Sequence, residues 1–499
     1  MKKNIVAIDI GTQSSRASVV TQDGRILGIH QIKHALDCPR PGWAQQNPDA
    51  WWNEACRALQ VVLRKTRVDK KSIAAVSTCG QMSGPVGVDD SGKVTTPWVQ
   101  LWCDKRCTEQ CEDIRKRHKE ADLLKHSANP LVPAWTGIKV RWHKDHQLKA
   151  YNRTRWFLVP KDFINYRLTG VAAADPSEMS CSFVWDCETE AYSQQLAAAV
   201  GVDLEKFAPV HRSQDVIGCV TEAAAKLTGL PAGTPVVAGG GDFPVSMLGF
   251  GIVGEGVTAD VTGTSTLLAA HTKKPLLHPS IQNLRHVVDG WIPFTILDCG
   301  GLSMKWCKDL VSSMRGREVS YDQLIALASQ APAGSEGLIF YPYMLGERRR
   351  ENTTSRGGYF GITLNHAAPH FVRSVMEGVA LTMGKDIGAF KKQGHAVTRL
   401  LSVGGGTRNA LWNTIKASIT GAPIELSEEP EAGLKGAALL GAAGAGLIGN
   451  LTQTAIERRA KTRTVQPDRK MMKHYREVQK EYLRIYEHML GFWREEEGL

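Results

Sequence analysis

Apolar positions along this chain fall into short runs punctuated by glycine and polar turns. The opening stretch NIVAIDI reads as a buried strand interrupted by a carboxylate, Asp9. GTQSS follows as a turn, RASVVT as a second strand and, past the Asp23-Gly24 turn, RILGIHQIK as a third, so the start of the chain predicts an antiparallel meander. DAWWNEACRALQVVLRK reads as a helix, and IAAVSTCG and TPVVAGGG are short apolar strands. Such alternation is typical of α/β layers. Further on, VTADVTGTSTLLAAHT (Val257 to Thr272) repeats the order strand, Gly-Thr turn, strand, about half the chain after the first. Two related halves and a chance recurrence of short turns both account for it. LGFGIVGEG, near residue 250, is the best boundary between halves. Near the C-terminus, Tyr475, Val478, Tyr482 and Tyr486 mark one face of an amphipathic helix.

At 499 residues the chain exceeds one ordinary core, which predicts two large domains or three average ones. A hydrophobic share of 42% with 22% charged residues fits a globular protein, and no apolar run approaches the roughly 20 residues that span a membrane. Lys2 and Lys3 imitate the start of a signal peptide, but Asp9 breaks the apolar run after them, so a cytoplasmic protein is expected. The 11 cysteines are scattered and odd in number, which points to reduced thiols. Cys103, Cys107 and Cys111 recur every fourth residue and would share one helix face; with no CxxC pair or His pair nearby, structural cysteines are favoured over a metal. The net charge of +11 raises the question of nucleic acid. Much of the excess lies in ERRAKTRTVQPDRKMMKHYREVQKEYLR, where a solvated helix face accounts for it, and no nucleic-acid or membrane partner is expected.

The Asp9 turn lacks the GxGxxG that opens a helix in dinucleotide-binding folds and the GxxxxGK of a P-loop. LLSVGGGTRNALWNTI runs from a strand through Gly404, Gly405 and Gly406 into a helix starting near Asn409, which lets backbone approach a flat ligand. EAGLKGAALLGAAGAG, from Glu431, is a small-residue helix suited to close packing. In TPVVAGGGDFPVSMLG the triple glycine Gly239-Gly240-Gly241 delivers Asp242 past a strand end. An acid there could accept a proton from a substrate hydroxyl or cap the helix that follows.

These motifs, in colinear order over nearly the whole chain, resemble the FGGY carbohydrate kinases, the sugar-kinase branch of the actin-like ATPases, and within them the xylulokinase-like members. The similarity rests on Asp9-Ile10-Gly11-Thr12, PGWAQQNPDAWW, CGQMSGPVGVD, LWCDKRC, KDFINYRLTG, TGIKVRWHKDH around Lys139 and Trp142, GERRREN, and RGGYFGITLNHAAPHFVRSVMEGVAL. The resemblance implies an α/β protein of two actin-like (ribonuclease H-like) domains, residues 1–248 and 249–499, each a mixed sheet flanked by helices, closing over a cleft. It implies ATP and Mg²⁺ as cofactors and a sugar or polyol as substrate, and it leaves a homodimer open. Asp9 would organise the metal, and Gly11, Thr12 and Gln13 would line the first phosphate hairpin. Thr262, Gly263, Thr264 and Ser265 would form the second, Gly404, Gly405, Gly406 and Asn409 would hold adenosine, and Asp242 would be the general base. Gln81, Met82, Ser83, Trp102 and Asp104, together with Asp242, would meet the sugar. Ser83 stands where the family commonly has histidine and Phe243-Pro244 where many relatives have a small or amide residue, so the identity of the sugar stays open.

Overall fold

The computed structural model describes residues 3–347 and 354–495; Arg348 to Asn352 of the GERRREN motif lie outside the described residues. Two seven-stranded sheets organise the chain. In the first, Asn4–Ile10, Ser14–Thr21 and Ile26–Lys33 form the predicted antiparallel meander. On its other side Asn4–Ile10 runs parallel to Ile73–Gly80, which in turn runs parallel to Pro235–Val237 and to the short strand Gly240–Gly241. Val216–Cys219 closes that edge antiparallel. The second sheet repeats the plan. Val257–Thr262, Thr266–Ala270 and Trp291–Leu297 form a meander, Arg399–Val403 and Ile424–Ser427 add in parallel, and Thr462–Val465 closes the edge antiparallel. Gln282–Arg285 extends the meander side. The two Gly-Thr turns thus occupy equivalent places in two sheets of one design.

Both faces of the first sheet are covered, which is why Ile73–Gly80 is buried at every position. One cover is the helix Pro48–Thr66, started by Asn47, whose side chain accepts from the amides of Asp49 and Ala50, and by Pro48 in the first turn. It buries Trp51, Trp52, Ala55, Leu59 and Val62 at helical spacing. The other cover comes from far along the chain: Ala432–Gly444 packs Leu434, Ala437 and Leu440 with Ile5 and Ala7. Its glycines are required by that approach, since a Cβ at Gly436 would lie 2.0 Å from the Val245 carbonyl oxygen and one at Gly441 2.6 Å from Ile5 Cγ2.

On the second sheet the long helix Ala368–Lys392 buries Val372, Val375, Met376 and Val379. The C-terminal helix Arg469–Glu495 packs Tyr475, Tyr482 and Tyr486 into the same core, as its periodicity predicts. Its outer side carries the exposed pairs Lys480–Glu477 and Arg484–Glu481.

The cysteine run corrects one expectation. The helix begins at Thr108, so Cys103 precedes it, Cys107 flanks it and Cys111 alone lies within it. The cause is the buried Asp104, whose Oδ1 accepts from the Arg106 amide at 2.9 Å and turns the chain before the helix can start. Cys107 and Cys111 are buried, and the Cys107 thiol donates to Gln100 Oε1 at 3.2 Å. Among the described residues no helix is long and apolar enough to cross a membrane, and no group of three His, Cys, Asp or Glu could hold a metal ion.

Candidate active site

The first hairpin turns over Gly11 to Gln13, closed by the Gly11 amide donating to the Ser14 carbonyl at 3.0 Å. Three neighbours hold it. Gln46 Nε2 donates to the Thr12 carbonyl at 2.8 Å, Trp102 Nε1 donates to Thr12 Oγ1 at 3.0 Å, and the His34 amide donates to the Gln13 carbonyl at 2.8 Å. Gln81 Nε2 donates to Gln46 Oε1 at 2.9 Å, so Trp102 touches the turn directly and Gln81 reaches it through Gln46. Asp9 Oδ2 accepts from Arg16 Nε at 3.0 Å and also from Arg16 Nη2; Arg16 Nη1 reaches Glu431 at 2.8 Å. Asp9 Oδ1 is buried without a hydrogen-bond partner.

Asp9, Cys79 and Gly240 sit level on three adjacent parallel strands. The chain therefore leaves the sheet at Asp242 close to Asp9, at the carboxyl ends of the strands where open α/β sheets bind ligands. The turn demands glycine: Gly239 has φ +72°, and a Cβ there would lie 1.9 Å from the Thr78 carbonyl oxygen. A Cβ at Gly241 would lie 2.7 Å from Met82 Sδ, which sets Met82 against the same turn. Asp242 is the first residue of the helix Asp242–Gly249 and Gly241 is its N-cap, so the capping role open to Asp242 in the sequence is taken by glycine. Asp242 Oδ1 accepts from the adjoining Phe243 amide at 2.7 Å. Burial first, and repulsion from Asp9 second, push its pKa up to about 7. A carboxyl balanced near neutrality at a strand end suits proton abstraction from a hydroxyl.

The second hairpin places Gly263, Thr264 and Ser265 between Thr262 and Thr266, with the Gly263 amide donating to the Ser265 carbonyl at 2.9 Å. Behind it Lys416 Nζ donates to Asp260 Oδ2 at 2.8 Å and Thr262 Oγ1 at 2.7 Å, all of them buried. Gly404, at φ +90°, would bring a Cβ within 2.7 Å of the Thr262 carbonyl oxygen, so the triple glycine rests on the hairpin; a Cβ on Gly405 would meet open space. Asn409 Oδ1 accepts from the Trp412 amide at 3.0 Å, which makes its side chain the cap of the helix Ala410–Thr420.

On the opposite wall Trp102 is 37% exposed, while Ser83 and Asp104 are buried. The Ser83 amide donates to Glu178 Oε2 at 3.2 Å, its hydroxyl lies 3.6 Å from the Cys181 thiol, and its carbonyl accepts from Lys139 Nζ at 3.0 Å. Asp104 Oδ2 accepts from the Ala44 amide at 2.7 Å and from Arg106 Nη2 at 2.7 Å, so its oxygens face protein groups. Sequence reasoning missed Arg16, Glu431 and Gln46, although Gln46 lay inside the PGWAQQ motif and Glu431 at the head of EAGLKGAALLGAAGAG. A cavity of about 230 Å³ lined by Arg115, Leu131, Phe294, Thr295, Tyr343 and Lys385 contains none of the residues nominated from the sequence.

Two glycine-cornered hairpins on sheets of one design, a triple-glycine shelf and a carboxyl at the strand ends are an arrangement suited to a nucleotide-dependent phosphotransferase. Comparison with known proteins agrees. The N-terminal domain of the FGGY family of carbohydrate kinases matches residues 4–249 and its C-terminal domain residues 259–445, and the chain belongs to this family. It is an ATP-dependent carbohydrate kinase, transferring phosphate to an alcohol group. The xylulose kinase of Bacillus subtilis (strain 168) is 28% identical, covering 97% of each chain. The autoinducer-2 kinase of Escherichia coli (strain ATCC 8739) is 26% identical, over 98% of this chain and 95% of the relative. The crystal structure of xylulose kinase from Rhodospirillum rubrum superposes with a TM-score of 0.92 at 26% identity, over 98% of this chain and 100% of that one.

Proposed function

We propose that the chain phosphorylates a ketose or polyol related to xylulose at a terminal hydroxyl, with Asp242 as the general base. The observation that carries this reading is the Asp242 carboxyl, raised to about 7 beside Asp9 where the parallel strands end. In-line transfer needs a positioned nucleophile and neutralised phosphate charge. The turns Gly11 to Gln13 and Thr262 to Ser265 receive the phosphates through groups other than the Gly11 and Gly263 amides, which close the turns, and the Thr262 hydroxyl, which pairs with Lys416; Gly404, Gly405 and Gly406 flank adenosine. Asp9 fits a hard cation, because its Oδ1 is an oxygen donor with no partner of its own; Mg²⁺ held there would supply charge neutralisation on the phosphates. Gln81, Met82 and Trp102 face the sugar. The two sheets close over it and exclude water that would hydrolyse ATP, the chain crossing between them at the Gly249 to Gly256 passage and again before Ala432–Gly444, which packs on the first sheet. The setting is cytoplasmic.

The relatives named for xylulose support a ketose. A second reading, a different polyol or a sugar acid, is favoured by Ser83, whose hydroxyl meets Cys181 inside the wall. ADP release measured over a panel of ketoses, polyols and sugar acids decides between them. Stimulation by ketoses supports the first reading and stimulation by sugar acids alone the second. No stimulation above the sugar-free background would leave a catalytically silent sugar-binding protein.

A further inference from the structure

Beneath Asp242 lies an ionic group that phosphoryl transfer does not itself use. Lys161, Asp162 and Asp175 are each at most 1% exposed. Lys161 Nζ pairs with Asp162, lies 2.9 Å from Asp175 Oδ1 and donates to the Ala238 carbonyl at 3.3 Å. Asn165 Nδ2 donates to the same carbonyl at 2.8 Å. Asp175 Oδ2 accepts from Ser177 Oγ at 2.6 Å, and Ser177 Oγ in turn accepts from the Gly241 amide at 3.0 Å. The two ends of the glycine turn, the Ala238 carbonyl and the Gly241 amide, are therefore both tied to one buried group. Three successive glycines have no side chains with which to fix their own conformation, so a turn built from them takes its precision from outside. Ser177 belongs to the short helix Pro176–Met179, whose next residue, Glu178, accepts from the Ser83 amide. One helical turn thus holds both the glycine turn that precedes Asp242 and the Ser83 backbone.

We propose that Ser177, oriented by Asp175 and Lys161, is a positioning residue that fixes the Gly239–Gly241 turn and with it the Asp242 carboxyl. The proposal rests on the kinase reading for its kinetic consequence, but its structural half stands apart from it. If the ionic group served the core alone, loss of the Ser177 hydroxyl would lower the melting temperature and leave turnover alone. Lys161 and Asp175 are poor probes, because removing one member of a buried ion group destabilises the fold strongly. Ser177 is neutral, and its hydroxyl can be removed or restored.

The experiment compares Ser177→Ala and Ser177→Thr with the unaltered full-length chain, using whichever sugar of the panel supports turnover. A displacement of the base by a fraction of an ångström to 1 Å is expected to lower kcat about 10- to 100-fold in Ser177→Ala with KM for ATP within about twofold, and Ser177→Thr to restore most of the loss. Backbone hydrogen exchange over residues 238–245 is expected to accelerate in Ser177→Ala and to return toward the original rate in Ser177→Thr. Unchanged kcat in an active enzyme, unchanged exchange over 238–245, or an equal loss in both variants each overturns the proposal. A parent protein inactive on every sugar would defeat the kinase reading, and the exchange rates would still decide whether Ser177 holds the turn.

Discussion

Asp242 is held at a cost to the native state. Its ordinary pKa of 3.8 rises to about 7 on folding, so between those values the folded chain binds more protons than the unfolded one, and stability falls as pH rises through that window. Asp242→Asn removes the charge while keeping the shape. At pH 8 it is expected to raise the melting temperature, at pH 4 to leave it nearly unchanged, and at either pH to lower sugar-dependent turnover by about 10² to 10⁴. Thermal melts at the two pH values, beside kcat and ATP affinity, check this; a variant less stable at both would give Asp242 a structural role instead. The triple glycine before it made this residue legible in the sequence. Ser177 was not legible, since its meaning comes from an amide 64 positions away to which no periodicity points. Asn409 shows the converse: its place at a helix start was readable, whereas the use of its side chain as a cap depends on local geometry.

At the scale of elements, the two hairpins were the most readable part of the chain, because short apolar runs buried at nearly every position and broken by Gly-Thr read as strands joined by a turn. What meets each hairpin was hidden. The helix Gly300–Arg315 begins directly against the second one: a Cβ at Gly301 would lie 1.9 Å from the Gly263 carbonyl oxygen, and the Leu302 amide donates to the Thr264 carbonyl at 2.9 Å. Gly301→Ala must displace backbone rather than a pliable side chain. Overpacking of this kind costs about 1–3 kcal/mol. Because the strain falls on the hairpin proposed to receive the phosphates, KM for ATP is expected to rise about tenfold, the equivalent of about 1.4 kcal/mol, with KM for the sugar little changed. Steady-state kinetics with each substrate varied in turn reads the split, and equal rises in both constants would place the damage in the fold at large. The cysteine run marks the limit of spacing arguments. A repeat of four reads as a helix, yet the buried Asp104 with Arg106 turns the chain first.

At the scale of the molecule, the repeated sheet plan was foreshadowed by the recurring Gly-Thr turn, but the seam between the halves was not, because it joins residues with no sequence signature. Asn129 and Asn283 form a reciprocal buried pair: Asn129 Nδ2 donates to the Asn283 carbonyl at 2.9 Å, and the Asn283 amide donates to Asn129 Oδ1 at 2.8 Å. Asn283 Nδ2 also donates to the Ala128 carbonyl at 2.7 Å. Gln282–Arg285, on the margin of the second sheet, is thereby fastened to the first half, and the Arg285 amide adds a bond to Ser180 Oγ at 2.8 Å. A buried polar group left without its partner loses about 1–3 kcal/mol, so the closure proposed above has to leave this seam intact. Asn283→Ala strands the Ala128 carbonyl together with the Leu276 amide and carbonyl, and Asn129→Ala strands the Asn283 amide and carbonyl. Each is expected to cost about 1–3 kcal/mol in urea unfolding, and the double variant less than their sum by about 1 kcal/mol or more, as for adjoining residues in one hydrogen-bond network. Strictly additive losses would mean that the two asparagines act separately and that the seam is not one network.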